Sequence, residues 1–529
     1  MSWQEIATEK KAHQLDSVPK EWISSNLPST NELNVIEYPR TFLSPLDIEI
    51  TESQVPALIS QLAEGKWSAV QVTTSFYKRA IIAQQLTNCL TEIFVDRALS
   101  RAKELDEHLE KTGTVVGPLH GLPISLKDQI SIKGIDSTMG YVSWIGKPAE
   151  KNSVLVDILE SLGAVPFVKT NIPQTLMASG LISSIPYPTS NPYNRSLTSG
   201  GSSGGEGALA SIRIPSAFCG VYGFRPSSHR VPYAGCVNSL EGEDAVVSVL
   251  GPLSNSLDGI KLFYKSVLSK QPWLKDPLVV RKRWSEDEYN LIDHGSGGQL
   301  CFAIMWHNGV IVPDPPIRRG LEMTKDALLA AGHKVIDWTP HKQAEITETW
   351  QAIWNSGSDE DFKRAAAPEP VIESMGLLPE DTPLQFRPDQ PSTMTAFDLW
   401  QVHKQRRDLR QEYAQLWEDS VSKTGTGRPV DAIICPAAPY AAPPHGLNNA
   451  NVAMISMAFN LLDYPALVIP VSHVDQQFYT QDDREGYERY DPKIHEHAPI
   501  VIQVVGRTME EEAVIAMSEI VDKALKATK

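Results

Sequence analysis

Two serines framed by glycines are the residues of this chain best suited to chemistry. The run Thr198-Ser199-Gly200-Gly201-Ser202-Ser203-Gly204-Gly205-Glu206-Gly207 admits three readings. As local structure it starts a helix, because Ser203-x-x-Glu206 has the spacing of a capping box and the glycines permit the turn before it. As a phosphate-binding loop it fails, since the G-K-[ST] ending is missing and no lysine follows. As a serine-nucleophile site it gains from tight backbone geometry and from helix-terminal N–H groups facing developing negative charge. Four glycines around two serines exceed what a cap requires, so a catalytic platform is the favoured reading.

A nucleophilic serine needs a base. In Gly121-Leu122-Pro123-Ile124-Ser125-Leu126-Lys127-Asp128 the apolar residues 122, 124 and 126 fall on one face of a strand, and Ser125 and Lys127 fall on the other. The plain reading of Lys127 is a strand-end lysine paired with Asp128. The alternative is a partly desolvated amine that loses its proton near neutral pH and serves as the base.

The elements that must position these groups alternate in type. Val55, Leu58, Ile59, Leu62 and Ala63 recur at helical spacing, which continues through Val70–Ala83 and Val95–Leu109. Ser153 is placed to cap a helix presenting Leu155, Ile158, Leu159 and Leu162, followed by a strand over Val165–Lys169. Further on, the pattern predicts a strand over Leu300–Met305, a helix over Ile317–Ala331, a long charged helix over Phe397–Val421, buried strands over Ala432–Cys435 and Ala466–Val471, and a final helix over Glu510–Lys526. This alternation predicts an α/β fold with a mixed or parallel sheet covered by helices. Residues 1–50, interrupted by prolines, read as an irregular wrap, and residues 356–394, rich in proline and acid, as a surface insertion. Residues 171–236 are rich in Gly, Ser and Pro yet too patterned for a linker, the mark of a functional loop region.

Composition sets the outer bounds. The 529 residues carry a net charge of −16, which argues against nucleic acid or an anionic membrane as the main partner. Hydrophobic content of 42% against 21% charged residues excludes disorder of the whole chain. The five cysteines, Cys89, Cys219, Cys236, Cys301 and Cys435, share no C-x-x-C or zinc-finger spacing, so neither a disulfide framework nor a structural zinc site is expected. Residues 1–16 lack the apolar core of a signal peptide, and no eighteen-residue apolar run occurs. The expectation is a soluble, cytoplasmic protein.

Five motifs carry a resemblance to a known family. They are GLPISLKD (121–128), VKTNIPQ (168–174), GGSSGGEGA (200–208), SIRIPSAFCGVYGF (211–224) and NLLDYPA (460–466). Together they resemble the amidase signature hydrolases, especially their fungal acetamidase-like branch. The resemblance implies a single large α/β/α domain with a central mixed sheet over residues 51–529, its signature core at about 115–236. It implies a Ser–Ser–Lys triad with no metal or cofactor. Lys127 matches the base, Ser202 the bridging serine held after a cis peptide, and Ser211 the nucleophile. Met177, Gly200, Gly201 and Ser203 match substrate-binding positions. The implied reaction is hydrolysis of a small aliphatic or aryl carboxamide through an acyl-enzyme. The partner it implies is a small-molecule amide, and it leaves a homo-oligomer open.

The chain departs from the family pattern just before Ser211. Members carry a longer stretch there, ending in an Asp-x-Gly-Gly run, whereas Ala208-Leu209-Ala210 leads straight into Ser211. If Ser203 caps a helix reaching Ala210, Ser211 lies about 12 Å along its axis at ~1.5 Å per residue. A proton relay needs heavy atoms within about 2.6–3.2 Å. Three functions therefore compete: an active amidase, a catalytically impaired homologue lacking its oxyanion-hole segment, and the amidotransferase subunit that amidates charged tRNA. The fungal-type wording of the last two motifs weighs against the third. Among other residues, Arg213 reads as positioning the Ser211 loop or pairing with a carboxylate. Asn171–Gln174 read either as acyl-pocket lining or as a structural loop. Cys219 reads as core, His120 as a satisfied loop histidine, Asp359-Glu360-Asp361 as solvated surface, and Met454 and Met457 as helix packing.

Overall fold

The fold was obtained as a computed structural model. It describes residues 1–176, 189–209, 212–367, 369, 394–445, 454–478 and 490–528. Two sheets carry the architecture. The smaller contains β1 (Leu90–Ile93), β2 (Pro123–Lys127) and β3 (Val165–Thr170), in the order β1-β3-β2. In it β2 runs parallel to β3, while β1 is antiparallel. The larger contains β4 (Tyr222–Arg225), β5 (Leu253–Ser254), β6 (Cys301–Ile304), β7 (Lys334–Asp337), β8 (Ala432–Pro436), β9 (Ala466–His473) and β10 (Pro499–Val505). Its order is β5-β4-β9-β10-β8-β6-β7, with β8, β6 and β7 mutually parallel and the rest antiparallel.

The strands of the larger sheet read as continuous apolar runs because helices cover both faces. Phe302, Ile304, Ile434, Leu467 and Val504 pack into one core, while the alternate residues Ala303, Ile433, Cys435, Ala466 and Val505 pack into another. The chain is thus a single α/β unit of the α/β/α type, as expected. The helices that matter for the site are α1 (Ala69–Thr87), α2 (Val154–Ser161), α3 (Gly204–Leu209) and α4 (Arg213–Cys219). Ser153 caps α2 by accepting from the Val156 N–H.

Residues 1–50 differ from the irregular wrap expected. Helices form over Trp3–His13, Pro39–Phe42 and Pro45–Glu52. The first and third are closed by capping boxes, Ser2 with Glu5 and Ser44 with Asp47. Pro39 and Pro45 open their helices, where a missing N–H is harmless and a fixed φ is helpful, so these prolines start helices instead of breaking them. The insertion at 356–394 begins as a packed helix, Ser358–Ala366, and both Glu369 carboxylate oxygens accept the Val142 N–H. Residues 370–393 lie outside the described residues.

Helix α3 is docked by backbone onto the end of the smaller sheet. The Asn171 N–H donates to the Cys89 carbonyl at 2.8 Å, and the Gly205 N–H donates to the Asn171 carbonyl at 2.8 Å. Gly205 allows this approach, since a Cβ there would collide with the Asn171 amide and the Cys89 carbonyl. Gly205→Ala is therefore expected to destabilise the chain by about 1–3 kcal/mol or more through overpacking against rigid backbone. A urea unfolding midpoint equal to that of the unmodified chain would count against this docking.

Candidate active site

The carboxyl end of β2 delivers two polar side chains towards α3. Lys127 Nζ lies 3.3 Å from Ser202 Oγ, and Ser125 Oγ donates to Glu206 at 3.1 Å. The strand faces expected from the sequence are thus realised, with Leu126 buried in the core on the opposite side.

Lys127 does not pair with Asp128. The Asp128 carboxylate is buried and accepts from the Thr138 N–H and the Met139 N–H, each at 2.8 Å, and from Thr91 Oγ1 at 3.0 Å. Its ionic partner is Lys169, at 3.7 Å. Burial then pushes the Lys127 ammonium down to about 7, against the opposing pull of the Glu206 charge. An amine in this state is neutral in a large fraction of molecules near pH 7, which a surface lysine is not.

Ser202 is held in the turn ahead of α3 by close packing. Gly200 (φ +82°) lies under the Phe218 ring and Gly201 (φ +43°) against Pro215, both on α4. Ser203, buried beside them, precedes α3, and its carbonyl accepts the Gly207 N–H at 2.9 Å. The capping box expected there is not the arrangement found. The Glu206 carboxylate turns inward instead and accepts from Thr170 Oγ1 at 2.6 Å and from Ser125. Burial pushes its carboxyl up to about 7, while those hydrogen bonds and the Lys127 charge oppose the rise. Thr170 is the site residue with no signal in the sequence, and Glu206 reads there only as a cap. One signal was available: Ser125 shares a strand face with Lys127.

Of the other residues singled out, Ser211 and Met177 lie outside the described residues. Arg213 is buried and donates to the Ser456 carbonyl at 2.8 Å, to Gln503 and to Asn460, with no carboxylate among its described partners. It therefore ties α4 to the helix Met454–Leu462 and to β10. Asn171 is buried and donates to Thr189 at 3.0 Å, a structural assignment. His120 accepts the Val116 N–H, and Cys219 is a buried thiol that burial pushes up strongly. All five cysteines are free. Among the described residues no group of three His, Cys, Asp or Glu side chains could hold a metal ion, and no helix is long and apolar enough to cross a membrane. A cavity of about 570 Å³ opens beside the site, with Ser125, Lys127, Ser203 and Glu206 at its polar end.

The site sets a desolvated lysine against a glycine-held serine at the end of a helix-covered mixed-sheet fold. The chain belongs to the amidase family, whose model matches residues 71–515. It is 39% identical to an acetamidase of Emericella nidulans, over 99% of this chain and 98% of that protein. It is 38% identical to an acetamidase of Aspergillus oryzae, over 99% of each. A solved structure of fatty acid amide hydrolase, 28% identical, superposes with a TM-score of 0.87 and covers 99% of this chain and 95% of that one. A bacterial aryl acylamidase of the amidase signature family shares the fold, with a TM-score of 0.69 at 17% identity, covering 89% of this chain and 96% of that one.

Glu206→Gln removes the largest of the nearby charges that favour protonated Lys127. The amine should then titrate at lower pH, since desolvation meets less opposition from nearby negative charge. The check is the pH dependence of Lys127 acylation by an amine-directed reagent, followed by peptide mass spectrometry. An unmoved or raised midpoint would contradict the electrostatic account.

Proposed function

We propose that this chain is built to hydrolyse the C–N bond of a small aliphatic or aryl carboxamide, giving a carboxylate and ammonia or an amine. The observation that carries the reading is the Lys127–Ser202 contact at 3.3 Å, with the lysine amine depressed to about 7 and Asp128 committed to Lys169. In this reading neutral Lys127 takes a proton from Ser202 as Ser202 takes one from Ser211. The Ser211 oxygen bonds to the amide carbon, and the carbonyl electrons move onto oxygen. When the C–N bond breaks, the proton returns through Ser202 to the leaving nitrogen. Water then cleaves the acyl-enzyme by the same relay in reverse order. Gly200, Gly201, Ser203 and Met177 are assigned to the substrate side, and the cytoplasm, where free thiols persist, is the proposed compartment.

A second reading is favoured by a specific observation. Helix α3 persists to Leu209, so the backbone leaves the Ser202 turn as a helix just ahead of Ser211. The alignment with the acetamidase of Emericella nidulans runs over 553 positions, more than this chain contains, so the relative holds residues that this chain lacks. If the missing stretch is the one before Ser211, backbone donors for the oxyanion go with it, and each such donor is worth about 10²–10³ in rate. That is the impaired homologue.

Treatment with a fluorophosphonate separates the two. Adduct on Ser211, with acetamide or an aryl amide hydrolysed, supports the enzyme, and Lys127→Ala or Ser202→Ala should then cut kcat on the order of 10³–10⁴-fold. Hydrolysis should rise with pH through about 7, because the base must lose its proton before it can accept one. No adduct on a chain with a folded circular dichroism spectrum would establish the impaired reading.

A further inference from the structure

A cavity with a reactive amine at one end can do more than admit an amide. Native interiors hold few voids larger than a water molecule, and about 10–15 Å³ on this measure suffices for one water. Here about 570 Å³ stands open, within the ~300–1,000 Å³ that holds a small organic ligand. One wall is β2, from Pro123 to Lys127, and another is the stretch 249–255 that contains β5, each the edge strand of its sheet. Leu58, Phe76, Leu155, Leu159 and Phe263 give the lining its apolar character. Of the side chains there that can carry charge, Arg79 is committed to Glu52 at 2.7 Å, which leaves Lys127 and Glu206. The Cys219 thiol also lines the cavity, but burial holds it protonated and so unreactive.

We infer that this cavity is a carbonyl-capture site, in which Lys127 forms an imine with an apolar aldehyde and Glu206 is the acid that dehydrates the adduct. The placement carries it. The amine, the carboxyl and the Ser125 hydroxyl bonded to that carboxyl share one end, and the rest of the space suits an apolar tail. Lys127 is bonded to a serine hydroxyl, with Asp128 held by Lys169, so no adjacent carboxylate pins a proton on the amine. In the first step the Nζ lone pair bonds to the aldehyde carbon and the C=O π electrons move onto oxygen. A proton passes from that nitrogen to the oxygen, giving a carbinolamine. Glu206 then protonates the hydroxyl, the C–O bond breaks, water leaves, and the nitrogen lone pair forms the C=N bond. The products are a protonated imine, the Glu206 carboxylate as its counter-ion, and one water. An amine and a carboxyl that both titrate at about 7 share about one proton at neutral pH, which is the proton these steps require. Desolvated lysines are the ones that form Schiff bases, and apolar walls keep water from hydrolysing the product. An amide carbonyl, stabilised by its own nitrogen lone pair, does not follow this course, so the ligand is distinct from the carboxamide of the proposed reaction.

The test treats the unmodified full chain with decanal and sodium cyanoborohydride, which reduces an imine to a stable secondary amine, and locates the decyl group by peptide mass spectrometry. Lys127 should be labelled well before an exposed lysine such as Lys103. Each buried methylene strengthens binding about fourfold, so propanal should label Lys127 at least about 100-fold less efficiently than decanal, a difference Lys103 should not show. Ala83→Phe, which places a ring in the cavity, should remove the preference for the longer chain. Glu206→Gln isolates the acid. That variant frees more of the amine, so acylation of Lys127 should quicken, yet imine formation should slow by about 100-fold or more for want of a proton donor. Amide hydrolysis is not involved: a chain that cleaves no amide still gives the adduct, so the hydrolytic reading can fail while this one stands. Should either variant not fold, the comparison of the two aldehydes on the unmodified chain decides. The inference is overturned if Lys127 is labelled no faster than Lys103, if both aldehydes label it equally, or if imine formation is undiminished in folded Glu206→Gln.

Discussion

The site depends on keeping one lysine away from the carboxylate that follows it in sequence. Asp128 is adjacent to Lys127 and would hold its ammonium fully charged if the two side chains met. It is instead turned to the other side of the strand, where two backbone N–H groups, Thr91 and Lys169 occupy it. What remains around Lys127 is low-dielectric surroundings, a serine hydroxyl and the through-space charges of Glu206 and, more weakly, Asp128. Desolvation therefore dominates, and a residue that is ordinarily a cation becomes available as a neutral amine near pH 7.

That arrangement requires the serine turn to sit within hydrogen-bonding reach of the strand, and glycine makes the approach physically available. Backbone packs directly on backbone at Gly205, and the Phe218 ring occupies the place where a side chain of residue 200 would be. Arg213 supplies the matching restraint from the other side, anchoring α4 through the Ser456 carbonyl and two side-chain amides. The turn is thus clamped between the end of the smaller sheet and a helix packed on the larger one.

Much of the fold could be read from the chain because its signals are local and redundant. The helix at Pro315–Ala330 and the strands at Ala432–Pro436 and Ala466–His473 fall within a residue or two of the periodic runs that predict them. The strand faces of Ser125 and Lys127 follow from the period of a β-strand. Two readings failed for identifiable reasons. The prolines near the N-terminus read as breakers, although position one of a helix tolerates them. Spacing alone assigns Glu206 to a capping box, but a buried pair of hydroxyls, from Ser125 and Thr170, competes successfully for its carboxylate.

What the sequence by itself determined is the family, the alternation of elements and the identity of the lysine and serine that approach each other, because motif spacing and hydrophobic period are properties of the chain. What only the tertiary structure decided is the ionic partner of Asp128, the inward turn of Glu206 and the open cavity between two strand edges. Those are settled by contacts between residues tens of positions apart, where competing hydrogen bonds, burial and packing density choose the outcome, and no local pattern in the chain encodes that competition.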